Sequence, residues 1–438
     1  MKTIHCAALA GVLACCPAAA FAGARHYTNT LTGGWGGARA ALAQRGIDLN
    51  LYYTGNFAHN LTGGTRTASA YGSGFEFVGA FDFGKLFGWK GGSFHLDIAN
   101  FDGTVLDGKA HLGSLVSTEQ IYNGHATYVA NFYLQQALWH GLVDLKYGRM
   151  DLVANFFSTP VITQFQNVTF FGPQPGVMSS DVTAWPSSSI GAVVAFHPTH
   201  AWTFTVANLA VQPNNILVPS EGVKPWNRGH RVGNVTIAQA RVKTAFRAPA
   251  GDGDGAPLRG VWMAGGWHNS APQPDLLRGP GGAPRAAGDA APLLHHSAGG
   301  VYLTGQQELT RNAEGGGWLV FANYVHADSN VTLVNQMASV GVLYNAPFRS
   351  RPRDSVGFAI GRNGISPRAA ELNRIERRRS GTTPLPRHGA EYVAELNYVA
   401  QLPRGISVMP NLQYVDHPGG LGEHHNYTVF GVQMNVTF

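Results

Sequence analysis

The C-terminal segment of the chain alternates strictly. Phe430, Val432, Met434, Val436 and Phe438 share one parity, and Val429, Gly431, Gln433, Asn435 and Thr437 share the other. Successive side chains of a strand point to opposite faces, so this pattern predicts a strand with one greasy and one mostly polar side. The pattern recurs upstream. Leu49, Leu51, Tyr53 and Phe57 oppose Asp48, Asn50, Thr54 and Asn56; Phe94, Leu96 and Ile98 oppose His95 and Asp97; Tyr392, Leu396 and Tyr398 oppose Glu391, Glu395 and Asn397. The same reading predicts strands at 48–58, 73–84, 92–101, 129–138, 143–150, 188–197, 201–209, 234–246, 259–269, 299–308, 316–326, 336–344, 354–362, 389–399, 405–413 and 428–438.

That is about 16 strands, an even number, and their connections sort by parity. Those after odd-numbered strands are mostly long, about 9 to 37 residues; those after even-numbered strands are mostly short, about 3 to 12. A soluble sandwich has no reason to sort its loops in this way. A transmembrane antiparallel β-barrel does, with long extracellular loops and short periplasmic turns. The predicted fold is therefore all-β, with residues 48–438 as the barrel and 23–47 as a periplasmic segment carrying a short helix.

Composition supports this reading. Only 13% of the 438 residues are charged, against about 25% for an ordinary soluble protein. There are 56 glycines, and aromatics make up 11%. Mean hydropathy is −0.07, and beyond the N-terminus no apolar run approaches the ~18 residues of a spanning helix. The net charge of +6 is scattered along the chain apart from a run at 374–379, which argues against a nucleic-acid partner.

The first residues read as a secretory signal, 1–22. Lys2 precedes an apolar stretch at 6–16, and Ala20-Phe21-Ala22 is an A-x-A cleavage site. Cys6, Cys15 and Cys16 all lie inside it, so the exported chain is expected to carry no disulfide. Leu13-Ala14-Cys15-Cys16 faintly matches a lipoprotein processing site, a weaker alternative.

Motifs of covalent chemistry are missing. The run from Gly79 to Lys85 fits seven positions of a phosphate-binding loop, but Leu86 stands where Ser or Thr should hold Mg²⁺ and no helix pattern follows. His295-His296 and His424-His425 are adjacent pairs without metal-ligand spacing. There is no G-x-S-x-G elbow. The expectation is a protein without catalytic residues, metal or cofactor.

Alternation places Asp82, His95, Asp97, Gln239, Arg241, Lys243, Glu308, Glu391, Glu395, Asn411 and Gln413 on the inner face. Carboxylates, amides and guanidinium groups on a lumen wall suit a neutral, hydroxyl-rich solute. Charges of both signs could equally pair with each other and hold the barrel together. Arg149 is ambiguous. It ends a strand just before the longest loop, yet parity with Val143, Leu145 and Tyr147 sends it outward.

That loop, 151–187, carries Phe156, Phe157, Phe165, Phe170, Phe171 and Trp185. So much apolar surface should not stay exposed. It can fold into the lumen and narrow it, or pack on neighbouring loops or another subunit. Residues 248–257 and 270–292 are loops rich in Gly, Pro and Ala, and the basic stretch 365–380 reads as a solvated loop rather than a helix.

Four segments together resemble the carbohydrate-selective porins of the OprB type. They are Trp35-Gly36-Gly37-Ala38-Arg39 with Leu42, Gly46 and Ile47; Leu86-Phe87-Gly88-Trp89-Lys90-Gly91-Gly92; Tyr147-Gly148-Arg149-Met150-Asp151 with Phe156 and Phe165-Gln166-Asn167; and Pro410-Asn411-Leu412-Gln413-Tyr414-Val415 with Pro418-Gly419-Gly420. The resemblance implies a 16-stranded outer-membrane barrel that passes monosaccharides such as glucose by diffusion through a charged and aromatic constriction. It also implies contact with outer-membrane lipid and reading of a C-terminal aromatic, here Phe438, by the assembly machinery. Nothing in the sequence decides between a monomer and a homotrimer. An amino-acid or sugar-acid channel, a barrel enzyme and a plugged adhesin remain as alternatives.

Overall fold

The computed structural model describes residues 29–121, 125–178, 185–212, 223, 231–248, 255–285, 291–381, 389–420, 422 and 424–438. The signal segment lies outside them. The first eight barrel strands are β1 Ile47–Thr62, β2 Ser69–Asp82, β3 Gly92–Gly103, β4 Ala126–Leu138, β5 Val143–Met150, β6 Ser189–Phe196, β7 Trp202–Val211 and β8 Gly233–Phe246. The second eight are β9 Leu258–Asn269, β10 Ala298–Glu308, β11 Gly317–Ala327, β12 Val334–Asn345, β13 Ser355–Ile365, β14 Ala390–Leu402, β15 Ile406–Asp416 and β16 Tyr427–Thr437. Each pairs antiparallel with its sequence neighbours, and β1 pairs with β16 to close the barrel. Closure leaves no unpaired edge, which is what a sheet needs in hydrocarbon.

All sixteen predicted strands are present. The first outer connection is tighter than expected, because β1 and β2 extend to a turn at 63–68. The Asn60 side chain bonds Gly63 O and Arg66 O and accepts from Ala68 N, which holds this turn together.

The two faces differ as alternation requires. Leu396, Leu412, Phe430 and Ile360 stand exposed on the outside. Aromatic pairs such as Phe94–Phe132 (4.9 Å) and Tyr53–Phe75 (4.8 Å) cross neighbouring strands. Phe438 packs beside Phe75, with ring centroids 6.3 Å apart. A short helix, α1 Ala38–Gln44, precedes β1. Its Arg39 is buried at the barrel seam, where the guanidinium donates to Phe438 O (2.7 Å), Leu49 O (2.9 Å) and Asn50 Oδ1 (3.2 Å). The N-terminal segment thus clasps the first strand to the end of the last.

Two further expectations are corrected. Asp82 does not serve the lumen: it caps the short helix α2 Phe83–Phe87 by accepting from Gly84 N and Lys85 N. Residues 365–380 are not an irregular loop. Pro367–Arg379 form a helix, capped by Ser366 with Pro367 in the first turn, two start signals that outweigh the run of like charge.

Candidate functional site

The barrel interior is not an open tube. The connection between β5 and β6, described at 151–178 and 185–188, folds into the lumen. Phe156, Phe157, Phe165, Phe170 and Phe171 are all buried there. Phe157 meets the wall residue Tyr302 edge-on at 4.9 Å, and Phe165 lies 5.4 Å from Phe321 of β11. Of the two places open to this loop from its sequence, the lumen is the one observed.

An inward loop brings backbone N–H groups into a water-poor interior, where each needs an acceptor. The wall supplies them. Glu395 accepts from Gln166 N and Asn167 N, both at 2.8 Å. Gln306 Oε1 accepts from Val161 N at 3.0 Å. Asn397 donates to Gln164 O, Asn411 to Gln166 Oε1, and Asn363 to Thr169 Oγ1. Asn167 in turn donates to Gln413 Oε1. The loop is tied to β10, β13, β14 and β15, across the lumen from its own roots.

Wall glycines make room for it. A Cβ at Gly361 would collide with Thr169, and one at Gly431 would sit 2.8 Å from Gln166 Oε1.

The loop between β3 and β4 also turns inward. Its short helix α3, Leu106–Ala110, is buried on one side. Leu115 N donates to Glu391 Oε2 and Ile121 N to Asn56 Oδ1. Gln120 Nε2 donates to Ile162 O and Phe165 O, which links the two inward loops. Within this loop Glu119 is fully buried and accepts from Leu106 N. Burial, joined by repulsion from Asp107, pushes the Glu119 carboxyl up to about 8 against that hydrogen bond. Burial also raises Asp107.

A polar network fills the near wall. Asn131 Nδ2 donates to both Asp97 and Asp151, each at 2.6 Å. Trp185 Nε1 donates to Glu76. His95 stacks on Tyr133 at 4.8 Å, and Lys146 lies over the same ring while donating to Asn155 Oδ1 at 2.7 Å. Asp151, at the loop root, is raised by burial despite its hydrogen bonds from Ala154 and Asn131.

This arrangement sorts the ten residues expected to line the pore. His95, Asp97, Arg149, Glu391, Glu395, Asn411 and Gln413 are all buried rather than open on the lumen surface. The reason is the same for Glu391, Glu395, Asn411 and Gln413: they are used to hold the inward loops. Arg149 follows a backbone irregularity at Gly148 (φ +145°) and donates from Nε to Ser188 Oγ, which donates to Val129 O. Arg149 thus holds the far end of the long loop against β5, and Ser188 ties it to β4.

Arg241, Lys243 and Glu308 retain solvent contact, with Glu308 accepting from Arg259 N and lying 3.8 Å from Arg311. Residues not singled out from sequence join them. Lys146 and Asp144 keep partial exposure, as do Asn155, Ser158, Thr163 and Gln164 of the loop. Alternation in β5 was a sufficient signal for Asp144 and Lys146; nothing in sequence marks the loop residues. Among the described residues no cluster of three or more His, Cys, Asp or Glu could hold a metal.

The known proteins that the chain resembles fit this geometry. The family described as carbohydrate-selective porin, OprB family, matches residues 66–438. Porin B of Pseudomonas aeruginosa is 28% identical over 454 aligned residues, covering 100% of this chain and 98% of that protein. A putative porin of Acinetobacter baylyi, QuiX, is 25% identical over 93% of each chain. The high-pH structure of Pseudomonas putida OprB superposes with a TM-score of 0.87 at 27% identity, over 94% of this chain and 99% of that one. The inward-looped, sixteen-stranded barrel therefore belongs to the OprB family of carbohydrate-selective porins and resides in the outer membrane.

Proposed function

We propose that this barrel passes monosaccharides, glucose among them, by passive diffusion through the gap between the long inward loop and the wall of β5 and β8. The observation that carries the reading is the loop itself, pinned across the lumen with polar side chains at its accessible surface. Asn155, Ser158, Thr163 and Gln164 offer amides and hydroxyls. Lys146, Asp144, Arg241 and Lys243 offer charges from the wall. Together they can replace a sugar's water piecewise and weakly, which lets the solute enter and leave. Family and fold both point to a channel rather than an enzyme. Liposome swelling tests this reading: glucose should enter faster than neutral solutes of equal size.

A second reading has its own observation. Of the ten expected lining residues, those left accessible are two cations and one carboxylate, with Glu308 already engaged. Such a strip favours an anionic sugar over a neutral one. Bilayer reversal potentials decide between them: Arg241→Glu with Lys243→Glu should invert an anion preference, and a neutral-sugar channel should show little preference to invert.

A further inference from the structure

The outer surface holds a groove that conduction through the lumen does not explain. It lies between β12 and β15, with a volume of about 480 Å³. Two neighbouring rungs of the sheet build it. Ala338, Arg362 and Tyr392 align on one rung, and Val340, Ile360 and Ala394 on the next. The alanines form a floor between larger neighbours. Tyr392, Ile360 and Val340 are exposed, so the groove opens toward lipid.

Its position is fixed by the strands. Arg362 is near the end of β13, which leads into the extracellular connection at 366–389. It shares this level with Tyr324 and Tyr392, aromatics of the kind that sit where headgroups meet hydrocarbon.

Arg362 is the unexpected member. By alternation it faces outward, since Ala359 and Asn363 face the interior. Its partner is the neutral Gln336 Oε1, at 2.7 Å, and among the described residues no carboxylate pairs with it. Asp416 also borders the groove, where its Oδ1 accepts from Asn426 Nδ2 (2.5 Å). An outward guanidinium above an apolar trough matches a lipid that carries phosphate above an acyl chain, because Arg binds phosphate through paired N–H donors.

We propose that this groove binds one phosphate-bearing lipid of the outer leaflet, with an acyl chain along Ala338 and Ala394 and the phosphate on Arg362. The experiment is native mass spectrometry of the detergent-solubilised barrel, titrated separately with lipid A, with lipid A stripped of its phosphates, and with inorganic phosphate. Lipid A should give a one-to-one adduct. The adduct should weaken about tenfold with Arg362→Ala and with the stripped lipid, the loss expected for a charge-assisted contact. Arg362→Lys should recover part of it. Ala394→Trp, which fills the floor, should weaken it independently. Heat-modifiable gel migration shows that each variant is a folded barrel.

Equal adducts on the unaltered protein and both groove variants would overturn the proposal. So would equal binding of lipid A and its stripped form. An adduct with inorganic phosphate alone would make this a plain anion site. Loss of an oligomer with Ala394→Trp, without loss of lipid, would make the groove an interface between copies.

Discussion

Glu395→Ala probes how the constriction is held. The carboxylate accepts from Gln166 N and Asn167 N deep inside the barrel. Truncation leaves both donors without an acceptor, at about 1–3 kcal/mol each, or roughly 2–6 kcal/mol in all. Against this stand the five buried phenylalanines of the loop, each contributing roughly 1.5–3 kcal/mol by burial, about 8–15 kcal/mol together. The second sum is larger, so the loop stays inside and only its stretch around 164–169 loosens. Gln164 and Thr163 then lose their fixed positions. Swelling assays on reconstituted Glu395→Ala should show glucose entry close to that of the unaltered protein, but with its advantage over size-matched solutes reduced several-fold. A trisaccharide should still be excluded. Undiminished discrimination in a folded Glu395→Ala barrel would refute the claim that this carboxylate holds the rim. Free passage of the trisaccharide would refute the energetic ranking of pin against packing.

Other perturbations test other joints. Arg39→Ala removes the clasp between β1 and the chain end, two short charge-assisted contacts worth about 3–6 kcal/mol together; the barrel should lose its compact gel mobility at a lower temperature, with Arg39→Lys intermediate. Glu119, pushed from 4.5 to about 8, keeps its proton in the folded loop where the free chain has lost it. Docking of residues 104–121 is therefore strongest below pH 4.5 and weakens as pH rises toward 8. Protease cleavage there should increase over that range, and Glu119→Gln should flatten the dependence, leaving the part that Asp107, also raised by burial, contributes. Asp275 behaves oppositely. Burial alone would raise it, but hydrogen bonds from His295, Leu277 N, Arg278 N and Arg368 outweigh burial and hold it at about 2. Its tie between the connections at 270–297 and 366–389 is complete above pH 3.8 and lost as pH falls through about 2. Asp275→Asn should speed protease cleavage of 270–297 several-fold at pH 7.

Much of this fold could be read from the chain, because a closed barrel repeats one local rule. In β14, Tyr392, Leu396 and Tyr398 point out while Glu391, Glu395 and Asn397 point in, as parity dictates. What parity cannot show is whether the inner face meets water or protein. Parity puts Glu395 and Gln413 on the inner face, where they lie, yet they are covered by a loop more than two hundred residues away in sequence. Arg149 shows another limit: parity with Val143, Leu145 and Tyr147 sends it outward, yet it is buried and bonded to Ser188, next to Gly148 with its φ of +145°. The β3–β4 pairing likewise shifts register between Asp97 and Ile98. The clue that was legible lay in the loop: six large aromatics on an outer connection require a dry place, and backbone buried with them requires acceptors on the wall.

The central claim is selective passage of sugar past the inward loop. Its most direct test is swelling of liposomes containing the purified, folded barrel, with glucose set against a disaccharide, an amino acid and a salt of similar size. The account predicts that glucose enters fastest, beyond what size allows. Rates ordered by size alone, or no swelling with any solute, would contradict it.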